Sequence, residues 1–385
     1  MWVGACLSSI GTWMQQLAQS WLVYKISGSA SMLGLDAFLG QAPIMALSLL
    51  GGVVADRFDR RHILLLSQAL QLTCAFVLTG LVITDVVQVW HILCLSTLVG
   101  VAQAFGGPAY QAFVPSMVGP EDLPNAIALN SIQFNLARII GPVIGGVVME
   151  KLGAAWCFGL NGISYIAVVI TLLLVRGRFT PKSTRESMLE SAKKGFNFVR
   201  DKRAILTLMV LAFLLTFLGA PTITFLPVFA KTVFAKDAST LSLLMAVSGA
   251  GSVLGALFVA TFGNSSNKGR LALANMLFLG TMVLGFSRAT YLPVSCVFLF
   301  MGGAALMSVF SLVNSLVQLE VGDEMRGRVM SVYNMAFRGG MPIGNFLSGN
   351  MMDLAGAPLV ISVNGFLLIC AAIYFYFFRR KVSEL

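Results

Sequence analysis

The sequence predicts an all-α integral membrane protein: twelve transmembrane helices arranged as two pseudo-symmetric six-helix bundles. Three observations predict it. Of the 385 residues, 57% are hydrophobic and 11% charged, where a soluble domain carries about 25% charged residues; mean hydropathy is +0.85. Apolar runs of the roughly 20 residues that a spanning helix needs recur along nearly the whole chain. The two halves also repeat. Ala137-Arg138-Ile139-Ile140-Gly141-Pro142 aligns with Phe337-Arg338-Gly339-Gly340-Met341-Pro342, and the acidic segments Val118-Gly119-Pro120-Glu121-Asp122 and Val321-Gly322-Asp323-Glu324 precede them.

The expected spans of the first half are 2–24, 32–54, 62–83, 87–111, 125–149 and 154–175. Those of the second half are 204–230, 239–262, 270–287, 290–316, 328–353 and 357–378. This gives an N-terminal bundle over 1–175, a linker over 176–203 and a C-terminal bundle over 204–385. In the linker, Met188, Leu189, Ala192, Phe196 and Val199 recur at helical spacing between Lys193, Lys194, Arg200 and Lys202. Such an amphipathic helix suits the anionic inner leaflet, or a plain tether between the halves. Met1 leads almost directly into the first span without the basic start of a secretory signal, so that span is expected as a mature helix. Little chain is left for a soluble head, and an enzyme is not expected.

The net charge of +10 records topology. With the first helix running outward, 19 of the 26 Lys and Arg fall on the cytoplasmic side, within Arg57–Arg61, Arg176–Arg203, Lys268–Arg270, Arg326–Arg328 and Arg379–Lys381. That bias follows the positive-inside rule and argues against nucleic acid as a partner. It places the C-terminus in the cytoplasm of a multi-pass protein of the bacterial inner membrane. Six cysteines stand singly in apolar spans, and His62 and His91 lie at helix starts on opposite sides. Neither a disulfide framework nor a metal site is indicated.

Gly52-Val53-Val54-Ala55-Asp56-Arg57-Phe58-Asp59-Arg60-Arg61 sets a dense charge cluster between two apolar spans. Such a cluster is costly in hydrocarbon, so it forms a tight loop at the water boundary. The Gly-x-x-x-Asp-Arg-x-x-Arg-Arg pattern resembles the signature loop of the major facilitator superfamily of secondary transporters. The resemblance implies that fold, and it implies that Asp56 latches onto the start of the eleventh span near Arg326–Met330, with Arg57 and Arg61 as partners and Gly52 and Arg60 completing the loop. A topology anchor is the plainer reading. The second-half loop, Gly263–Arg270, has lost both acids. Gly11-Thr12-Trp13-Met14-Gln15, Trp21-Leu22-Val23-Tyr24, Leu123–Ser131 and Ala137-Arg138-x-x-Gly141-Pro142 together resemble the branch with the bacterial enterobactin exporter, macrolide efflux proteins and transmembrane secretion effectors.

Gly141, Pro142, Gly145 and Gly146 form a small-residue motif that lets helices approach closely. It resembles the export-associated motif of drug antiporters, and plain helix packing is the other reading. In the resembled fold, helices one, four, seven and ten line the cavity. These spans carry polar stripes here, from which Gln16, Gln19, Gln103, Tyr110, Gln111, Ser311 and Asn314 are candidate cavity residues. Buried amides are costly unless paired or wetted, so interhelical bonding competes with a wet cavity. Arg138 and Arg338 lie within spans, where an Arg costs at least about 2.5 kcal/mol and must face protein or water. Asp36 is the clearest acid within a span and the candidate proton carrier; Glu150, Glu320 and Asp353 lie at span ends.

No Gly-x-x-x-x-Gly-Lys-[Ser/Thr] motif is present, so an ion gradient, most simply protons, is the expected energy source. The expected function is export of small organic molecules, siderophore or drug-like, by alternating access. Expected partners are substrate, protons and the bilayer; the chain is expected to be a monomer without cofactor or metal. An importer on the same fold and a non-transporting scaffold are the alternatives.

Overall fold

The computed structural model describes residues 2–119, 121–175, 188–262 and 267–378, with the side chains of 188–193 outside that description. The basic segment 379–381, the linker stretch 176–187 and the loop residues 263–266 therefore lie outside the described residues. The first six helices are α1 (Trp2–Ser27), α2 (Ala30–Ala55), α3 (Arg60–Ile83), α4 (Val89–Met117), α5 (Leu123–Lys151) and α6 (Ala154–Leu174). The linker holds α7 (Met188–Asp201). Then come α8 (Arg203–Thr224), α9 (Leu226–Val228), a π-helical turn over Phe229–Val233, α10 (Ala238–Phe262), α11 (Lys268–Arg288), α12 (Leu292–Glu320), α13 (Asp323–Ala355) and α14 (Ala357–Phe378). Among the described residues, twelve of these helices stand where the apolar runs put the spans. Ten meet the length and composition of a membrane span. The other two, α1 and α13, are long enough at 26 and 33 residues. Their apolar runs are diluted by Gln15, Gln16 and Gln19 in α1, and by Asp323, Glu324, Arg326, Arg328, Arg338 and Asp353 in α13.

Sequence chemistry sets the ends. Gly28, at φ +65°, takes a left-handed conformation that costs other residues energy, and the chain turns from α1 into α2 within two residues. Asp59 caps α3 by accepting from the Arg61 amide at 2.9 Å, as short polar residues do at helix starts. The span expected over 204–230 is present as Arg203–Val233, with a one-residue turn at Phe225. Pro227 has no amide to donate, α8 stops at Thr224, and the chain resumes as α9 and the π turn.

The chain forms two compact units. Unit 1 contains Met1–Gly28, Leu35–Arg185 and Asp237–Ala246; unit 2 contains Ser29–Gly34, Glu186–Lys236 and Val247–Leu385. In unit 1, α1 packs on α5 and α6, and α3 on α4 and α6. In unit 2, α8 packs on α13, and α11 on α12 and α14. The equivalence of α1·α5 with α8·α13 is the sequence repeat expressed as packing. Helix α7 docks on α13: a Cβ on Gly195 would fall 2.7 Å from the Arg328 carbonyl oxygen, and Val199, one turn on, is buried while Phe196 stays exposed.

Candidate functional site

The charged loop is seated by its arginines. An apolar cluster of Ala55, Ile63, Leu64, Ala109, Phe113, Val168 and Leu172 joins α2, α3, α4 and α6 beneath it. Over that cluster, Arg60 Nη1 donates to the Ala112 carbonyl at 2.9 Å and Arg61 Nη2 to the Leu173 carbonyl at 2.9 Å. The Leu173 carbonyl lies in the last turn of α6, where main-chain acceptors lack intrahelical partners, and the Ala112 carbonyl, five residues before the end of α4, also accepts from the Ser116 hydroxyl. Asp56 and Arg57 are exposed, and the Asp56 carboxylate makes no hydrogen bond or ion pair among the described residues. Gly52 is buried at the end of α2.

Deeper in unit 1 lies a closed ring of three polar side chains. Gln19 Nε2 donates to Asp36 Oδ2 at 2.9 Å, to Asp36 Oδ1 at 3.2 Å and to Ser96 Oγ at 2.9 Å. Ser96 Oγ donates to Asp36 Oδ1 at 2.5 Å. Helices α1, α2 and α4 each supply one member. Asp36 is 8% exposed, sits about 9 Å into its helix, and has no cationic partner among the described residues. A carboxyl group among neutral donors in apolar protein carries its own charge or its own proton, because nothing nearby compensates it.

The rest of the α1 stripe divides in two. Asn161 Nδ2 donates to Gln15 Oε1 at 2.7 Å, and Thr12 reaches the Tyr165 hydroxyl at 3.4 Å, which continues to Gln71 and Ser67. These groups join helices. Gln16 and Gln111 remain exposed on unit 1, and Gln103 is half-buried. Tyr110 donates to Asn130 Oδ1 at 3.0 Å, tying α4 to α5. Arg138 lies with its guanidinium carbon 5.7 Å from the Trp13 ring centroid, a cation–π contact. The small-residue motif is where α5 meets two neighbours. A Cβ on Gly141 would fall 2.8 Å from the Ile10 carbonyl oxygen, and one on Gly145 3.2 Å from Met14 Cα. Gly146 lies against Ser242 of α10, whose hydroxyl donates to the Pro142 carbonyl at 2.7 Å. Just before α10, the Ser239 hydroxyl at 2.6 Å holds the Asp237 carboxyl below the usual carboxylate range.

In unit 2, Ser311, Asn314, Ser315, Gln318 and Leu319 of α12 and Arg326 of α13 line an open recess of about 360 Å³. Gln318 donates to Asn314 Oδ1, and Arg326 pairs with Asp323 at 2.7 Å. The recess offers hydroxyls, amides and a guanidinium, the donors that suit an oxygen-rich anion. Arg338 is exposed on α13 and forms no ion pair among the described residues. At the other end of α13, Asp353 accepts from the amides of Ala30 and Ser31 at 2.7 and 3.0 Å, and from the hydroxyls of Ser29 and Ser31, each at 2.6 Å. By sequence Asp353 is an acid at a span end, and neither Ser96 nor Asn161 is among the sequence-predicted candidates. The signal available was the Ser29-Ala30-Ser31 run, whose short polar residues favour a helix start.

Ten apolar spans among the described residues and two compact units make this a helical membrane protein. The chain belongs to the transmembrane secretion effector family, which it matches over residues 1–385. It is 24% identical over 383 residues to a staphyloferrin A transporter of Staphylococcus aureus, covering 97% of this chain and 94% of that one. It is 27% identical over 352 residues to an enterobactin exporter of Citrobacter koseri, covering 90% and 83%. Its fold is similar to that of a bacterial homolog of the human lysosomal transporter Spinster in an inward-facing, unoccupied conformation, with TM-score 0.74, 15% identity and coverage of 99% and 96%. It is also similar to the nucleoside transporter NupG, with TM-score 0.73, 15% identity and 97% of each chain covered.

Proposed function

We propose that this chain exports a siderophore-like small molecule across the bacterial cytoplasmic membrane by alternating access, driven by protons that ride on Asp36. The full-length match to the secretion effector family carries the export reading. Relatives named for staphyloferrin A and enterobactin, both covered over most of their length, support a siderophore-like cargo. The recess of Ser311, Asn314 and Arg326 offers a polar cargo hydroxyl, amide and guanidinium groups. Proton coupling is supported by the Gln19–Asp36–Ser96 ring. A proton taken up and released at this carboxyl ties proton movement to the three helices, α1, α2 and α4, that bound it. The C-terminus faces the cytoplasm, following the basic bias of the loops.

Everted vesicles with an imposed proton gradient test this. Candidate siderophores should accumulate in vesicles that carry the protein and stop accumulating when the gradient is collapsed. Asp36→Asn, which keeps the shape and the acceptor oxygen, should lower gradient-driven accumulation at least tenfold while the protein stays folded. Gradient-driven rates equal to those of the unmodified chain would remove Asp36 from the coupling role.

A further inference from the structure

Asp353 is an exposed carboxylate at the end of α13 whose acceptor capacity is taken up by one short stretch of chain. That stretch, Ser29–Ser31, leads into the first turn of α2, and it belongs to unit 2 while the helix from Leu35 onward, Asp36 included, belongs to unit 1. The carboxylate satisfies two of the four amides that a helix start leaves without intrahelical partners, and it lies at the positive end of the helix dipole. Backbones close the rest of the contact. A Cβ on Gly34 would fall 2.6 Å from the Asn345 carbonyl oxygen, and one on Gly349 2.7 Å from the Ala30 carbonyl oxygen. Leu33 is covered in this arrangement, at 1% exposure.

The bonds that hold this turn are polar; those from Ser29 and Ser31 lie at the surface and that from the Ala30 amide is half-buried. Water can replace each of them, so separating the pair costs far less than opening an apolar seam of the same length. On the orientation proposed above, both ends face outside. From Ser31 the helix reaches Asp36 in five residues, about 7.5 Å.

We infer that Asp353 is a positioning residue of the transport cycle: it clasps the first turn of α2 to α13 while the outer side is shut, and it lets go when Asp36 becomes open to the outside. The inference rests on the proposed alternating-access reading.

The test uses the full chain in membranes, in a background without the six native cysteines, with Leu33→Cys as reporter and a membrane-impermeant maleimide added from outside. Labelling should be slow with Asp353, several-fold faster in Asp353→Ala, and between the two in Asp353→Asn, which keeps one acceptor. Ser29→Ala combined with Ser31→Ala should move the rate in the same direction. A separate Leu78→Cys reporter, buried in α3, should stay unlabelled in every variant, which separates release of the clasp from unfolding. In a second experiment, a disulfide between Ser31→Cys and Asp353→Cys should halt siderophore transport, and a reductant should restore it. Equal labelling of the Leu33→Cys reporter in the three chains overturns the inference. So does a disulfide-locked chain that transports as fast as its reduced form, because a permanent cap need never open. Labelling requires no cargo. If the unmodified chain moves none of the siderophores tried, the exporter reading fails and labelling alone decides the clasp.

Discussion

Asp36 and Asp56 carry the same charge and meet opposite fates. Asp36 is enclosed by Gln19 and Ser96, whereas Asp56 stands exposed on its loop, its carboxylate without a partner among the described residues. The loop's own stability resides in Arg60 and Arg61, which satisfy main-chain carbonyls of α4 and α6. Two substitutions should therefore separate. Arg61→Ala removes a charged donor from the Leu173 carbonyl and should destabilise the protein by about 1–3 kcal/mol, read as a lower Tm in detergent. Asp56→Ala removes no side-chain bond seen in this structure and should leave Tm within about a degree while altering transport. A Tm loss for Asp56→Ala as large as that for Arg61→Ala would show that the loop's acid supports the fold in this state. The residue types of the loop were legible in the sequence. Which charges bond to main chain was not, because Leu173 is 112 residues from Arg61 and no local spacing encodes that meeting.

Helix by helix, glycine marks where backbones touch. Gly141 and Gly145 let α5 lie on α1, and Gly340 and Gly344 let α13 lie on α8. Without a hydrophobic drive between helices in lipid, close van der Waals packing supplies the association. Gly141→Leu should push α5 off α1 and cost about 1–3 kcal/mol as overpacking does. Gly107, exposed on α4 with nothing within 4 Å of an added Cβ, should accept Ala with Tm unchanged or raised, since Ala is the better helix former. Thermal unfolding of both variants in one detergent checks the contrast, and equal losses would contradict it. The span limits were readable because hydropathy acts over a whole helix. The turn at Phe225 within the seventh span was not: Pro221 sits inside α8 without ending it, and Pro227 stands beyond the turn. Prolines signal a disturbance, and the neighbouring helices decide where the chain yields.

Across the whole molecule, charge asymmetry sets orientation and duplication sets architecture. Nineteen of 26 basic residues fall on one side of the expected spans, and the positive-inside rule predicts that side to be cytoplasmic. A fluorescent reporter that folds only in the cytoplasm, fused after Leu385, should light up, and alkaline phosphatase fused at the same place should stay inactive. The reverse pattern would invert the topology and move the Asp353 clasp to the inner face.

Taken alone, the sequence determined the all-helical membrane class, the position of the ten apolar spans, the repeat and the basic bias, because each depends on composition summed over many residues and averages out local detail. It also singled out Asp36 by its rarity in hydrocarbon. Only the tertiary structure decided what the polar groups do. Gln15 bonds across helices while Gln16, its neighbour, stays exposed, and Asp353 reaches residues more than 320 positions away. Each such bond depends on the angle at which two helices meet, and that angle is set by packing between distant parts of the chain.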